Sequence, residues 1–139
     1  HTPNSFESVL TEGRALAESS GGRLLVVFGC SGERDRTKRP IMGAAAARLA
    51  DEFVLTDEDP HSEDPRQIVR EIEAGAAGGT YTIEMDRRQA MALAFRRAAP
   101  GDLVLITGKG HETSMIVAGD KKVPWDERAI AREELAKLA

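Results

Sequence analysis

Three polar stretches concentrate the side chains of this chain that are able to bind or react. The first, Gly29-Cys30-Ser31-Gly32-Glu33-Arg34-Asp35-Arg36-Thr37-Lys38-Arg39, sets two turn-permitting glycines before four cations. A guanidinium is a planar fork that matches a carboxylate or a phosphate. Neighbours such as Arg34 and Asp35 can also simply neutralise one another in a solvated loop, and residue types alone weigh the two readings evenly. The second stretch, Thr56-Asp57-Glu58-Asp59-Pro60-His61-Ser62-Glu63-Asp64, holds five carboxylates and an imidazole. It suits a cationic group or a divalent ion. It lacks the spacing and the glycine of an EF-hand, so an exposed acidic turn, with Asp64 capping the next helix, is favoured over a metal site. The third, Gly108-Lys109-Gly110-His111-Glu112, places glycines on both sides of Lys109, which lets a ligand approach the backbone. Glu112 can hold an ammonium group, and His111 can hydrogen-bond or act as a base. Cys30 has no sequence partner to activate it and reads as a loop packing residue. There is no Gly-x-x-x-x-Gly-Lys-Ser/Thr anywhere and no Gly-x-Gly-x-x-Gly after the first apolar run, which excludes a P-loop and argues against a dinucleotide cofactor.

Regular elements must carry these stretches to one place. Thr2 and Pro3 predict a capped first helix, with Phe6, Val9, Leu10, Gly13, Leu16 and Ala17 on its inner face and Gly21-Gly22 at its end. Leu24 to Phe28 is a continuous apolar run, the pattern of a strand covered on both faces. Pro40 predicts the start of a second helix with Ile41, Met42, Ala45, Ala46 and Leu49 inward. Phe53 to Leu55 reads as a second strand, and Pro65 opens a helix that buries Ile68, Val69 and Ile72 before Gly75, Gly78 and Gly79 break it. Tyr81 to Ile83 is a weak strand. Asp86 and Gln89 form a capping pattern for a helix that carries Met91 and Phe95 and ends near Pro100-Gly101. Leu103 to Ile106 is another buried strand. Met115 to Val117 and Lys121 to Val123 flank Gly119-Asp120 as a small hairpin, and Asp126 caps a last helix with Ile130, Leu135 and Leu138. This alternation implies an α/β fold: a Rossmann-like, doubly wound, mostly parallel sheet with helices on both faces and a small C-terminal hairpin. Ligands of such sheets gather outside the carboxyl ends of the strands, and each polar stretch follows a strand. The first two exceed the roughly 2–6 residues usual for such loops.

Composition narrows the classes further. At 139 residues, 41% apolar and 30% charged, the chain is one ordinary folded domain. No apolar run approaches the roughly 20 residues of a membrane helix, and His1-Thr2-Pro3-Asn4-Ser5 does not read as a signal peptide, so a cytoplasmic location without a membrane partner is expected. One cysteine excludes an internal disulfide framework and a cysteine-based zinc site. A net charge of −4, with four Phe, one Tyr and one Trp, argues against nucleic acid as a partner.

Taken together, the polar stretches resemble the C-terminal domain of the Mur ligases, and within them the UDP-N-acetylmuramoyl-tripeptide synthetases (the MurE family). His1-Thr2-Pro3 resembles the end of that family's Asp-Tyr-Ala-His-x-Pro segment. Phe28-Gly29-Cys30-Ser31-Gly32-Glu33-Arg34-Asp35 with Lys38-Arg39-Pro40-Ile41-Met42-Gly43 resembles its Phe-Gly-x-Gly-Gly-Asp-Arg-Asp and Lys-Arg-Pro-x-Met-Gly. Gly108-Lys109-Gly110-His111-Glu112 matches its Gly-Lys-Gly-His-Glu. The resemblance covers the whole chain, and the order and spacing make it specific.

The resemblance implies that residues 1–139 form one domain cut from a three-domain ligase. Such enzymes use ATP and magnesium to add an amino acid to UDP-MurNAc-L-Ala-D-Glu through an acyl phosphate. The P-loop and the magnesium ligands belong to the family's central domain, on which this domain would pack, so the isolated domain is expected to be inactive. No catalytic residue and no metal ligand is implied here. Amino-acid contacts are implied at Arg34, which would grip a carboxylate, at Glu58, Asp59, Pro60 and His61, and at Gly108 and Glu112, which would hold the distal end. Asp35, Lys38, Arg39, Lys109 and His111 would support them, and His1 would lie near the nucleotide. Diaminopimelate-adding members carry Asp-Asn-Pro-Arg where this chain has Glu58-Asp59-Pro60-His61. Asp59 would repel the distal carboxylate of diaminopimelate, so L-lysine or L-ornithine is the expected amino acid, with meso-diaminopimelate as the alternative. The competing function is a non-catalytic nucleotide- or phosphate-binding or interaction module of the same fold, favoured if the parent gene lacks an upstream P-loop domain.

Overall fold

The computed structural model describes the chain apart from His1, Glu33, residues 109–113, residues 118–120 and Ala139; for residues 114–117 and 121–124 it describes the backbone. The elements run α1 (Pro3–Ser19), β1 (Leu24–Phe28), α2 (Lys38–Leu49), β2 (Glu52–Leu55), α3 (Pro65–Glu73), β3 (Tyr81–Ile83), α4 (Arg87–Arg97), β4 (Leu103–Ile106), β5 (Ser114–Val117), β6 (Lys121–Pro124) and α5 (Glu127–Ala136). Four strands form a parallel sheet in the order β3-β2-β1-β4, and β5 pairs antiparallel with β6.

Side-chain caps set the helix starts. Thr2 and Ser5 form a reciprocal capping box on α1, Asp64 accepts from Arg66 N to start α3, Asp86 from Gln89 N to start α4, and Asp126 from Ala129 N to start α5. The second helix starts at Lys38, two residues before the expected Pro40, so Lys38 and Arg39 belong to its first turn.

Central strand β1 is buried at every position. Leu24, Val26 and Phe28 join one core with Phe6, Leu10, Met42, Phe53 and Ile72, beneath α1, α2 and α3. Val27 faces the other core, with Val54, Met91, Phe95 and Ile130 beneath α4 and α5. The continuous apolar run is thus two alternating faces, each covered by helices. On the first face Phe6, Phe28, Phe53 and Tyr81 form a row of rings with successive centroids 4.7, 5.9 and 5.1 Å apart, tying α1 to three strands.

Several expected core positions lie elsewhere. Leu16, Ile41, Leu135 and Leu138 are each at least half exposed. A helix of this length presents a stripe, and Leu16 and Ile41 fall beside the stripes that Phe6, Leu10 and Ala17, and Met42, Ala45 and Ala46, bury. Leu103 to Ile106 is half-buried, because β4 is an edge strand of the four-stranded sheet and not a central one.

Candidate functional site

Parallel strands deliver their following loops to one end of the sheet, and the strand order reverses between β1 and β4, which opens a crevice there. A cleft of about 750 Å³ occupies this position. Its walls are the loop after β1, the loop after β2, Gly108 after β4, and Thr2 and Ser5 at the start of α1.

The first two loops are clasped through their backbones. Gly32 N donates to the Asp59 carbonyl at 2.8 Å. A Cβ on Gly32 would stand 1.8 Å from the Pro60 carbonyl oxygen, so only glycine allows this approach. Held in this way, Asp59 and His61 take positive φ values of 38° and 53°, a region that L-residues rarely enter but Asp and His tolerate better than most.

Glu58 stands between Ser31 of the first loop and Gly108 and is 7% exposed. Ser31 Oγ donates to its Oε2 at 3.0 Å. Its Oε1 meets no hydrogen-bond donor among the described residues. Gly108, at φ 109°, lies directly against that oxygen: a Cβ there would fall 1.7 Å from it. Burial pushes the Glu58 carboxyl above the ordinary carboxylate range, against the opposing pull of Arg87 and the Ser31 hydroxyl. Burial also raises Asp57, to about 6, with Arg87 opposing and Asp59 reinforcing.

Behind the cleft, Arg87 organises two of the loops. Its fully buried guanidinium donates to the Asp57 carbonyl at 3.0 Å, the Thr107 carbonyl at 2.7 Å, and both oxygens of Glu127 at 2.9 and 2.7 Å. Trp125 Nε1 donates to the same Glu127 at 3.0 Å. One side chain therefore joins the ends of β2 and β4 to the start of α5.

Of the expected site residues, the structure brings Arg34, Asp35, Lys38, Arg39, Glu58, Asp59 and Gly108 to one cleft. Their roles differ. Arg34 is exposed on the wall, and no described carboxylate pairs with it. Asp35 accepts from Thr37 N and Thr37 Oγ1, bonds that hold its carboxyl below the ordinary range and shape the turn into α2. Arg39, expected as a supporting residue, is 1% exposed and engaged by Glu63, Glu71 and the Ser31 carbonyl. Both terminal nitrogens of this guanidinium are thus engaged in holding the loop's shape. Arg36 is likewise bound by Glu71. Pro60 and His61 belong to the turn that Gly32 holds and are not on the cleft wall. Cys30 packs its Sγ 3.6 Å from Met42 Sδ, and burial pushes its thiol up to about 12, which suits packing and not nucleophilic chemistry. His1, Lys109, His111 and Glu112 lie outside the described residues. Among the described residues no group of three or more His, Cys, Asp and Glu is placed to hold a metal ion, and no helix is long and apolar enough to cross a membrane.

Sequence reasoning missed Ser31 and Arg87. Ser31 gave a signal, because it replaces a motif glycine. Arg87 gave none, since a charged residue in a first helical turn reads as solvated.

Comparison with known proteins agrees with this geometry. The family pattern described as "Mur ligase, glutamate ligase domain" matches residues 1–110. The chain is 51% identical over 134 residues to the UDP-N-acetylmuramoyl-L-alanyl-D-glutamate--2,6-diaminopimelate ligase of Geobacillus thermodenitrificans, covering 95% of this chain and 27% of that one. It is 48% identical over 144 residues to the UDP-N-acetylmuramyl-tripeptide synthetase of Roseiflexus sp., covering 99% and 28%. A solved UDP-N-acetylmuramoyl-L-alanyl-D-glutamate--2,6-diaminopimelate ligase superposes with a TM-score of 0.88 at 34% identity, over 99% of this chain and 28% of that one. The chain thus spans between a quarter and a third of the length of these relatives. The family match over residues 1–110 and the identity to these relatives show that the chain belongs to the Mur ligase family, as a C-terminal domain.

Proposed function

We propose that this domain receives the incoming amino acid in an ATP-dependent ligase that joins 2,6-diaminopimelate to UDP-MurNAc-L-Ala-D-Glu. The observation that carries the reading is the mixed charge of the cleft. Arg34 and Lys38 stand in one wall, and Glu58 and Asp59 in the facing loop. A free amino acid brings an ammonium and a carboxylate together, so it meets both partners there. A nucleotide phosphate alone would meet the carboxylates as well as the cations, which disfavours a phosphate-binding module.

Diaminopimelate is preferred to L-lysine or L-ornithine on two supports. Relatives at about half identity carry 2,6-diaminopimelate in their names. Arg34 also offers an exposed guanidinium in the cleft for a second carboxylate, which offsets the repulsion from Asp59. Lysine or ornithine is kept as a second reading, because His61 and not arginine follows Pro60.

In this reading ATP phosphorylates the D-glutamyl carboxylate with magnesium held in the central domain. The amine of the seated amino acid then attacks the acyl phosphate, and inorganic phosphate leaves. The domain's task is to orient that amine, and it is inactive without the domains that bind ATP. The reaction takes place in the cytoplasm.

The test uses the full-length protein with ATP, magnesium and UDP-MurNAc-L-Ala-D-Glu, offered meso-diaminopimelate, L-lysine and L-ornithine separately. Phosphate release and product mass are measured. Turnover with diaminopimelate is expected; turnover only with lysine or ornithine would overturn the amino-acid assignment. No amino-acid-dependent turnover would overturn the ligase itself.

A further inference from the structure

Ser31 and Glu58 lie 27 residues apart, in different loops, and touch in the fold: the Ser31 hydroxyl donates to the Glu58 carboxyl at 3.0 Å. The hydroxyl is itself anchored from behind. The Ser31 carbonyl accepts from Arg39 Nη2 at 3.0 Å, and the buried Arg39 is gripped by Glu63 and Glu71. A rigid chain of contacts therefore runs from α3 through α2 and the first loop to Glu58. The Glu58 carboxyl ends this chain at the cleft wall with one oxygen held and the other short of a donor. A buried carboxylate in that condition gains most from a ligand that brings several donors. An ammonium group brings three and a compensating charge.

We infer that Ser31 is a positioning residue for amino-acid binding: its hydroxyl holds the Glu58 carboxyl at the cleft wall to receive the ammonium of the incoming amino acid. This rests on the ligase reading above, while Ser31 itself touches no reacting atom. Its loss should therefore weaken binding and leave the chemical step unchanged.

The experiment is a double-mutant cycle in the full-length protein, with ATP and UDP-MurNAc-L-Ala-D-Glu saturating and meso-diaminopimelate varied. Ser31→Ala should raise the amino-acid KM about tenfold, equivalent to about 1.4 kcal/mol, with kcat and the KM for ATP within about twofold. Ser31→Gly, which also removes the hydroxyl, should do the same and guards against a folding defect in one variant. Glu58→Gln should raise the same KM, and adding Ser31→Ala to it should change KM by less than about twofold, because the carboxylate that Ser31 serves is already gone. Equal effects of Ser31→Ala in both backgrounds, or a fall in kcat at constant KM, would overturn the inference and leave the ligase standing. If lysine or ornithine is the amino acid turned over, the cycle is run with it and the same pattern supports the inference. An unsubstituted enzyme that turns over none of the three overturns the ligase reading and this inference together.

Discussion

Arg87→Ala should destabilise this domain by about 3–5 kcal/mol, more than any surface substitution, because of what it leaves behind. The guanidinium is wholly buried and Glu127 nearly so. Removing the cation leaves a carboxylate in the core without its counter-charge, and it leaves the Asp57 and Thr107 carbonyls without a donor. Breaking one half of a buried pair typically costs this much, whereas replacing both halves costs far less. Domains of this size hold about 5–15 kcal/mol in total, so the variant should fold but melt roughly 10–20 °C lower. Guanidinium unfolding of the 139-residue chain, followed by far-UV circular dichroism, gives the magnitude. Trp125, the single tryptophan, donates to Glu127 and so reports the same place by fluorescence. The pair Arg87→Met with Glu127→Leu should recover at least about 2 kcal/mol relative to Arg87→Ala. A loss below about 1 kcal/mol for Arg87→Ala, or no recovery in the pair, would refute the claim that this ion pair ties the loops to α5.

Three further outcomes follow from individual contacts. Asp64→Ala removes the side-chain cap of α3 and should cost about 1 kcal/mol in thermal or denaturant unfolding. Gly108→Ala forces a side chain into a positive-φ position and against Glu58; amino-acid KM should rise tenfold or more, against a stability loss of only about 1–2 kcal/mol by melting. Asp57 has its carboxyl raised to about 6 by burial, so its ionisation opposes folding as pH climbs from its unfolded value near 3.8 through 6. Asp57→Asn should therefore stabilise the domain at pH 8, by about 1–2 kcal/mol after allowance for its partial exposure, and barely at pH 4. Melting curves at the two pH values check the sign, and an equal gain at both would contradict it.

Much of this protein was legible along the chain because the signals are local. The Thr2, Asp64, Asp86 and Asp126 caps act within three residues of themselves, and each starts its helix as the sequence predicts. The apolar run of β1 can be satisfied only by cover on both faces, which with alternating helices leads to a parallel sheet. The three motif loops announced the site because each follows a strand, and parallel strands end on the same side. What the sequence left open depends on partners far away in the chain. Ile41 and Leu16 are apolar at near-helical spacing, yet where the neighbouring helix packs leaves them exposed. Arg34 and Arg39 are the same residue type in the same loop. Only the arrival of Glu63 and Glu71, 24 and 32 residues beyond Arg39, turns Arg39 into a structural clamp and leaves Arg34 to the cleft. Glu58 reads as one acid among five until Ser31 and Gly108 close around it. The sequence alone determined which residues are ionisable and where the capped helices begin. The tertiary structure decided which of those charges are spent on one another and which still face a ligand, because desolvation and pairing depend on distances that no local pattern encodes.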